Sequence, residues 1–236
     1  MALIFDIETV GVDFDSLDES TQKNLTHWLT REIGEDEDKF NSKLKDLKEG
    51  LGFSPLTGET VAIGVYDTAA DLGVVYFQSP GKNTEEYQDA NFTFKPKSEA
   101  EMLKSFWQGA KNYQEFVSFN GRSFDVPFLM IRSAIHKIKP SVNLLSNRYL
   151  GSQPESAKHI DLFDQLSFYG ASRRKGSLHL YCNAFGIDSP KAHGVTGDEV
   201  AGLFAEKKYR EIAEYNSWDL IATAELYKIW SEYIKF

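Results

Sequence analysis

The chain of 236 residues is predicted to adopt an α/β fold with a mixed β-sheet flanked by helices. Strand-like patterns are concentrated in its first half, helical patterns are interleaved with them, and the segment from Glu199 onward is largely helical. This order of elements is typical of a sheet that carries helices on its faces. The length predicts one domain over residues 1–236, with a polar helical insertion at about 14–50.

The composition is that of an ordinary water-soluble globular protein, with 42% hydrophobic and 26% charged residues. No apolar run approaches the roughly 20 residues of a membrane-spanning helix. The N-terminus lacks the features of a signal peptide, and Cys182 is the single cysteine, so we expect a cytoplasmic protein. The net charge of -9 argues against coating of long nucleic acid, but it allows an enzyme that holds a few nucleotides through metal ions.

The first strand is predicted over the apolar run that begins at Ala2, and this strand carries two carboxylates. Asp6 and Glu8 are two positions apart, so both side chains project to the same face of a strand. Two like charges side by side in a core raise each other's pKa and destabilise the fold unless a cation lies between them. A divalent metal ion is one explanation of the pair, and a solvated strand edge is the other.

The segment after the first strand is polar and rich in Lys, Glu and Asp, with sparse apolar anchors. This pattern predicts one or two helices between strands at about 14–50. Turn-forming residues follow at 52–58. Two further strands are predicted at 60–66 and 73–78, where a short polar connection favours an antiparallel hairpin.

The middle of the chain alternates helices with short strands. Ser98 and Glu101 have the spacing of a capping box, which predicts a helix over 98–112. Residues 159–164 have the pattern of a short strand, and residues 176–186 have that of a helix.

The second candidate site segment is an apolar strand at 115–119, which runs into Asn120 and Gly121 and then into a helix beginning near Ser123. Reactive groups are often found where strands end and helices begin, so Asp125 in the first helical turn is a candidate ligand. The alternative is that its charge merely complements the helix dipole.

The third candidate site segment lies in the C-terminal helical region. Tyr215 and Asp219 are four residues apart, so they share one helical face. An aspartate in this arrangement can bind a metal ion while the phenol orients a water molecule. A surface aspartate beside a half-buried tyrosine is the alternative.

Together, the three segments resemble the motifs of the DEDD superfamily of 3'→5' exonucleases, which have a ribonuclease H-like fold. The motifs are Phe-Asp-Ile-Glu-Thr at 5–9, Asn-Gly-x-x-Phe-Asp at 120–125 and Tyr-x-x-x-Asp at 215–219. The tyrosine of the third motif is typical of the DEDDy branch. The histidine branch has its histidine where this chain has Glu214.

Among DEDDy proteins, the chain is most similar to the stand-alone exonucleases related to the proofreading domain of family-B DNA polymerases. Further matches to this subgroup lie at 54–58, 159–162 and 189–191, and at Gly197. One departure is Asn216, where relatives often carry Cys, and the resemblance attaches no catalytic consequence to it. The polar segment after the first strand is poorly matched.

The resemblance implies hydrolysis of phosphodiester bonds with two divalent cations, Mg²⁺ or Mn²⁺, as cofactors. Carboxylates are the hard oxygen ligands that these ions prefer, and two such ions can stabilise both the attacking and the leaving oxygen. Asp6 would contact both ions, Glu8 and Asp219 would hold the ion that activates water, and Asp125 would support the second ion. Tyr215 would orient the attacking water.

The substrate implied by the resemblance is the 3' end of single-stranded DNA, with no membrane partner. Asn120 and Lys191 are expected to contact this substrate, and Phe124 is expected to pack either against the terminal base or in the core. The basic cluster at 172–176 is either a phosphate contact or a solvated loop. An exoribonuclease similar to RNase D and a non-catalytic nucleic-acid-binding module are the alternative functions.

Overall fold

The computed structural model describes residues 1–33, 36–189 and 197–235. Across these residues, seven strands form one sheet in the order β4-β5-β3-β2-β1-β6-β7. The strands are β1 (Ala2–Gly11), β2 (Gly58–Asp67), β3 (Leu72–Phe77), β4 (Tyr87–Asp89), β5 (Phe92–Pro96), β6 (Glu115–Ser118) and β7 (Lys158–Asp161). The sheet is mixed and flanked by helices, which confirms the predicted fold class.

The helices of the described residues follow the predicted order. They are α1 (Glu19–Ile33), α2 (Glu37–Gly50), α3 (Glu99–Ala110), α4 (Asp125–Ile135), α5 (Leu162–Leu166), α6 (Leu178–Phe185), α7 (Val200–Ala205) and α8 (Tyr209–Tyr233). Helices α1 and α2 occupy the segment between β1 and β2 for which a polar helical insertion is predicted. The organisation as one domain with an insertion stays a prediction. Within the described ranges, none of the helices combines the length and apolar character needed to cross a membrane.

Strand β1 is central in the sheet and pairs with a different type of partner on each side. It is antiparallel to β2 and parallel to β6, and β7 is parallel to β6. The carboxyl ends of β1, β6 and β7 therefore lie along one edge of the sheet. The predicted hairpin is present, with β2 and β3 antiparallel and Ala62 opposite Phe77.

One predicted strand is shorter than expected. The pattern at 159–164 reads as a strand, but β7 ends at Asp161 and α5 begins at the next residue. The Asp161 carboxylate accepts a hydrogen bond from the backbone N–H of Phe163 at 3.0 Å and so caps α5. This cap ends the strand, because it favours helical geometry directly after Asp161.

The two faces of β1 are buried against different helices. Leu3, Phe5 and Ile7 belong to a hydrophobic cluster with residues of α3 and α4. Ala2 and Ile4 belong to a second cluster, which contains residues of α8. Side chains alternate along a strand, so the even-numbered residues of β1 from Ala2 to Glu8 face α8.

A buried ion-pair network ties α3 and α4 to the sheet. The Glu99 side chain is 5% exposed, and it accepts hydrogen bonds from Nε and Nη2 of Arg132 at 2.8 and 2.7 Å. The backbone N–H of Thr60 donates to the same carboxylate at 2.8 Å, and Nε2 of His136 lies 2.7 Å from it. Burial raises the pKa of Glu99, but the hydrogen bonds outweigh burial and hold this pKa below its usual value.

Glu99→Gln is expected to lower the free energy of unfolding at neutral pH by about 3 kcal/mol, because it leaves the buried Arg132 guanidinium without its charge partner. The folded-state pKa of Glu99 lies below the unfolded value, so this stabilisation is present above the unfolded pKa. It is lost as the pH falls through the folded pKa. Urea unfolding of wild type and variant at neutral and at acidic pH measures both effects.

The matched control is Glu86→Gln, which removes a largely exposed partner of Lys95. We expect this change to cost less than about 1 kcal/mol, since surface ion pairs contribute little. Equal losses for the two variants at neutral pH would contradict the role assigned to Glu99.

Candidate functional site

Asp6 and Glu8 continue the face of β1 that packs against α8. Glu8 is 7% exposed and Asp6 is partly buried. Both residues pair with β2, whereas the pairing of β1 with β6 ends at Ile4. The pairing of β1 with β2 shifts register between Glu8 and Thr9. Such an irregularity bends a strand and is common beside functional sites. The pair therefore lies in the interior beneath α8, and the alternative of a solvated strand edge is wrong.

Helix α8 brings a third carboxylate to this pair. Oxygen atoms of Asp6, Glu8 and Asp219 all lie within 4.8 Å of one another. Tyr215 is 6% exposed, lies one helical turn before Asp219, and forms a side-chain hydrogen bond with it. Residues separated by more than two hundred positions thus meet, because the even-numbered face of β1 and one face of α8 are packed together.

Asp125 lies beside this cluster, but it is not one of the three carboxylates within 4.8 Å of one another. It begins α4, is 4% exposed, and its Oδ1 accepts a hydrogen bond from the backbone N–H of Ile7 at 3.1 Å. The bonded N–H belongs to the residue between Asp6 and Glu8. The first turn of α4 is therefore anchored directly to the strand that carries the carboxylate pair.

The turn before α4 is held by a residue whose role the sequence does not reveal. Asn120 has a backbone φ of 65°, a conformation that Asn tolerates better than most residues. The backbone N–H groups of Asn120 and Arg122 donate to Oδ1 and Oδ2 of Asp161 at 2.8 and 2.9 Å. Asp161 lies at the carboxyl end of β7, and this position is the signal that could have identified it. Its carboxylate fixes the turn that leads to Asp125.

Negative charge exceeds positive charge throughout the cluster. Burial raises the pKa of Asp6 well above its usual value, and the charges of Asp125, Glu8 and Asp219 raise it further. Burial and Asp219 likewise raise the pKa of Glu8, and burial raises the pKa of Asp125 to about 7. A divalent cation would relieve this repulsion, and a set of carboxylate oxygens has the ligand chemistry that Mg²⁺ and Mn²⁺ prefer. The residues present therefore fit such an ion.

The phenol of Tyr215 remains protonated in this environment. Burial raises its pKa above the usual value, and the charges of Asp219, Glu8 and Asp6 raise it further. Tyr215 is accordingly a hydrogen-bond donor and not a base.

Asn216 is a further residue of the cluster, and sequence reasoning did not select it. The sequence gives it no catalytic consequence, yet it is fully buried, and its Nδ2 donates to Oδ2 of Asp6 at 2.8 Å. The same nitrogen lies 3.5 Å from Oε1 of Glu8. It lies between Tyr215 and Asp219 in the sequence, but a neutral residue between two motif positions gives no signal of its own.

A cavity of about 600 Å³ opens beside Glu8. Phe124 and Phe53 both line it, with their rings edge to face and their centroids 6.4 Å apart. Phe53 is 63% exposed, whereas Phe124 also packs on Phe128 with a centroid separation of 5.6 Å. Phe124 thus has one side in the core and one side on the cavity. Phe53 was not predicted, because it lies in a segment whose only signal is turn chemistry.

Two predicted substrate contacts remain, Lys191 and the basic cluster at 172–176. Lys191 falls outside the described residues. In the basic cluster at 172–176, Nζ of Lys175 lies 5.1 Å from the ring centroid of Phe163. That ring packs in turn on Phe119, the neighbour of Asn120, with a centroid separation of 5.7 Å. A larger cavity of about 780 Å³ lies along the C-terminal half of α8 and contains none of the predicted site residues.

The fold of the chain is similar to that of a much larger protein, the family B DNA polymerase from the hyperthermophilic archaeon Pyrobaculum calidifontis. The TM-score is 0.60 at 14% sequence identity, and the match covers 97% of this chain and 24% of the polymerase chain. This likeness shows the fold, which is ribonuclease H-like. A comparison with curated proteins found no match to the chain.

Residues 76–234 match a protein family described as predicted 3'-5' exonucleases related to the exonuclease domain of PolB. The matched range contains Asp125, Tyr215 and Asp219 and begins after Asp6 and Glu8. The structure connects the two parts, since β1 carries its carboxylates to the matched residues of α8. The match extends over more than half of the residues of this chain. The chain therefore belongs to this family and is a 3'→5' exonuclease related to the exonuclease domain of PolB.

Proposed function

We propose that this exonuclease removes nucleotides from the 3' end of single-stranded DNA with two divalent cations, Mg²⁺ or Mn²⁺. The observation that carries the proposal is the meeting of the Asp6, Glu8 and Asp219 carboxylates within 4.8 Å of one another. This buried concentration of like charge is explained by a bound cation and by little else. Bound divalent ions supply Lewis acidity toward the attacking and the leaving oxygen of a phosphodiester.

The residues divide into two groups around Asp6. Glu8 and Asp219 lie with Asp6 in the close cluster and would hold the ion on the side where water attacks. Asp125 raises the pKa of Asp6 but lies outside the close cluster, so it would support the second ion together with Asp6. The hydrogen bond from Ile7 fixes one oxygen of Asp125 and leaves its other oxygen for this purpose.

Tyr215 would position the attacking water by turning its single O–H from Asp219, its hydrogen-bond partner in this structure, to that water. Its phenol is buried next to Asp219 and its pKa is raised, so it holds its proton during the reaction. The water is therefore oriented, and not deprotonated, by this side chain.

The cavity beside Glu8 would take the terminal nucleotide. Its volume of about 600 Å³ is of the size that accommodates a small organic ligand, and Phe53 and Phe124 provide aromatic surface for a base. A base must leave its paired partner to stack there, which favours a single-stranded end. Asn120, at the turn held by Asp161, would contact the sugar or phosphate of this nucleotide. The family's relation to PolB favours DNA over RNA.

Digestion of labelled oligonucleotides tests the direction and the substrate together. With Mg²⁺ or Mn²⁺, we expect 5'-labelled single-stranded DNA to shorten stepwise, and 3'-labelled DNA to release its label as a mononucleotide at once. RNA of the same sequence is expected to be cut more slowly. Faster cutting of RNA would favour the exoribonuclease, and binding without cutting would favour the non-catalytic module.

Adding Mg²⁺ or Mn²⁺ to the metal-free protein is expected to raise its melting temperature, because an ion that binds only the folded state stabilises it. Asp6→Asn and Asp125→Asn should abolish hydrolysis and reduce this metal-dependent shift. In the metal-free state, both variants are expected to melt at or above the wild-type temperature, since each removes one of several repelling charges. Thermal scans with and without metal measure the melting temperatures, and digestion of 5'-labelled single-stranded DNA measures hydrolysis.

The control for these variants is Asp38→Asn, which changes an exposed carboxylate of α2 and should preserve both hydrolysis and the metal-dependent shift. A wild-type melting temperature that does not respond to either ion would count against metal dependence. Wild-type turnover in either site variant would show that the ligands are misassigned.

Tyr215→Phe is expected to lower kcat by about 100-fold, the scale of losing one well-placed donor at a reacting centre. A metal-dependent rise in melting temperature should persist, because the phenol orients the ligand Asp219 but is not itself a metal ligand. Single-turnover digestion of 5'-labelled DNA measures the first effect and thermal scans measure the second.

Tyr227→Phe is the matched control for this variant. Tyr227 is another tyrosine of α8 whose phenol donates to a carboxylate, that of Glu115, and its pKa is also raised by burial. It lies away from the close cluster, so its loss should leave kcat unchanged. Equal effects of the two substitutions would contradict a specific role for Tyr215.

A further inference from the structure

The amide of Asn216 lies between the two carboxylates of β1. Its Nδ2 donates to Oδ2 of Asp6 at 2.8 Å and lies 3.5 Å from Oε1 of Glu8. An amide nitrogen carries two hydrogens that diverge in one plane, so it can donate to two acceptors at once. Asp6 is held by the shorter of the two contacts, and Glu8 is held more loosely.

A glycine on the neighbouring strand provides the space for this amide. Gly64 of β2 is the cross-strand partner of Asp6. A Cβ atom at Gly64 would lie 2.0 Å from Oδ1 of Asn216 and 2.6 Å from Cδ1 of Leu220. The missing side chain therefore lets α8 approach the sheet closely enough for Asn216 to reach both carboxylates.

The position of the amide has a cost in stability. Among the described residues, Oδ1 of Asn216 is buried and has no hydrogen-bond partner. A buried acceptor without a partner destabilises the folded state, whereas an apolar side chain of the same shape would avoid this cost. The amide is therefore explained by what its nitrogen does, since its oxygen contributes nothing to stability.

We propose that Asn216 is a positioning residue that fixes the relative orientation of Asp6 and Glu8 for cation binding. The proposal rests on the proposed function. A neutral donor orients the carboxylates without neutralising them, whereas Lys or Arg at this position would compete with the metal ion. Each carboxylate keeps a second oxygen that does not bond to Asn216 and is left for the cation.

Two substitutions remove the donor in different ways. Asn216→Leu keeps the branching at Cγ but has no hydrogen to donate, and Asn216→Ala removes the side chain and cannot clash with Gly64. Ser217→Ala is the matched control, because Ser217 is the next residue of α8 and is 6% exposed. Its hydroxyl donates to the backbone oxygen of Glu214 and not to the carboxylate cluster.

The experiment is isothermal titration of the metal-free protein with Mn²⁺ in the absence of nucleic acid. We expect both Asn216 variants to bind Mn²⁺ about 10-fold more weakly than wild type, the usual scale for residues that orient metal ligands. Metal-free thermal scans of both variants establish that they are folded at the temperature of the titration, so that weaker binding is not the result of unfolding. Ser217→Ala should bind Mn²⁺ as wild type does.

The Mn²⁺ dependence of hydrolysis is a second measurement, which a change in side-chain packing alone would not alter. The Mn²⁺ concentration for half-maximal hydrolysis should rise by the same factor in both Asn216 variants, whereas KM for 5'-labelled single-stranded DNA should not change. Wild-type Mn²⁺ affinity in both variants would overturn this inference and leave the proposed function standing. An equal loss in Ser217→Ala would also overturn it, and failure of the wild type to bind Mn²⁺ would overturn both proposals.

Discussion

The rest of the structure has to withstand the repulsion among carboxylates that the fold brings together inside the protein. Asp6, Glu8 and Asp219 meet within 4.8 Å, and Asp125 is close enough to raise the pKa of Asp6. Such a cluster opposes folding unless a cation or protons compensate it. The surrounding structure therefore has to hold the ligands in place against a force that drives them apart. Sites of this kind are found on rigid elements with well-packed support.

That support comes from placing each ligand on an element that is fixed from two sides. Strand β1 pairs with β2 through Asp6 and Glu8 and with β6 up to Ile4, and a hydrophobic cluster packs on each of its faces, so the backbone that carries the two carboxylates is fixed. The start of α4 is tied to β1 through the Ile7 amide and to β7 through Asp161, which holds the turn before Asp125. In contrast, the balanced network of Glu99 stabilises α3 and α4 on the opposite face.

The charged part of the site was predicted in two steps. Periodicity places Asp6 and Glu8 on one strand face and Tyr215 and Asp219 on one helical face, but it leaves an alternative explanation for each pair. The resemblance of the three motifs to the DEDD exonucleases is what predicts that the pairs converge. Asn216 could not be predicted in this way, because a neutral residue carries no signal of its own. Its contacts also depend on the absence of a side chain at Gly64, more than 150 positions earlier. Local pattern reveals which residues can face each other, but not how closely two elements approach.

The site also combines two parts of the chain that differ in their relation to the family. Residues 76–234 match the family and supply Asp125, Tyr215 and Asp219, whereas β1 lies before the match and supplies the other two carboxylates. The segment between β1 and β2 contributes no carboxylate to the close cluster, but Asp46 and Glu49 of α2 and Phe53 line the cavity beside Glu8. The wall of the cavity is therefore shared between this segment and residues close to the ligands, Glu8 and Phe124 among them. Variation in the wall can change what the cavity accepts while β1 and α8 keep the ligands together.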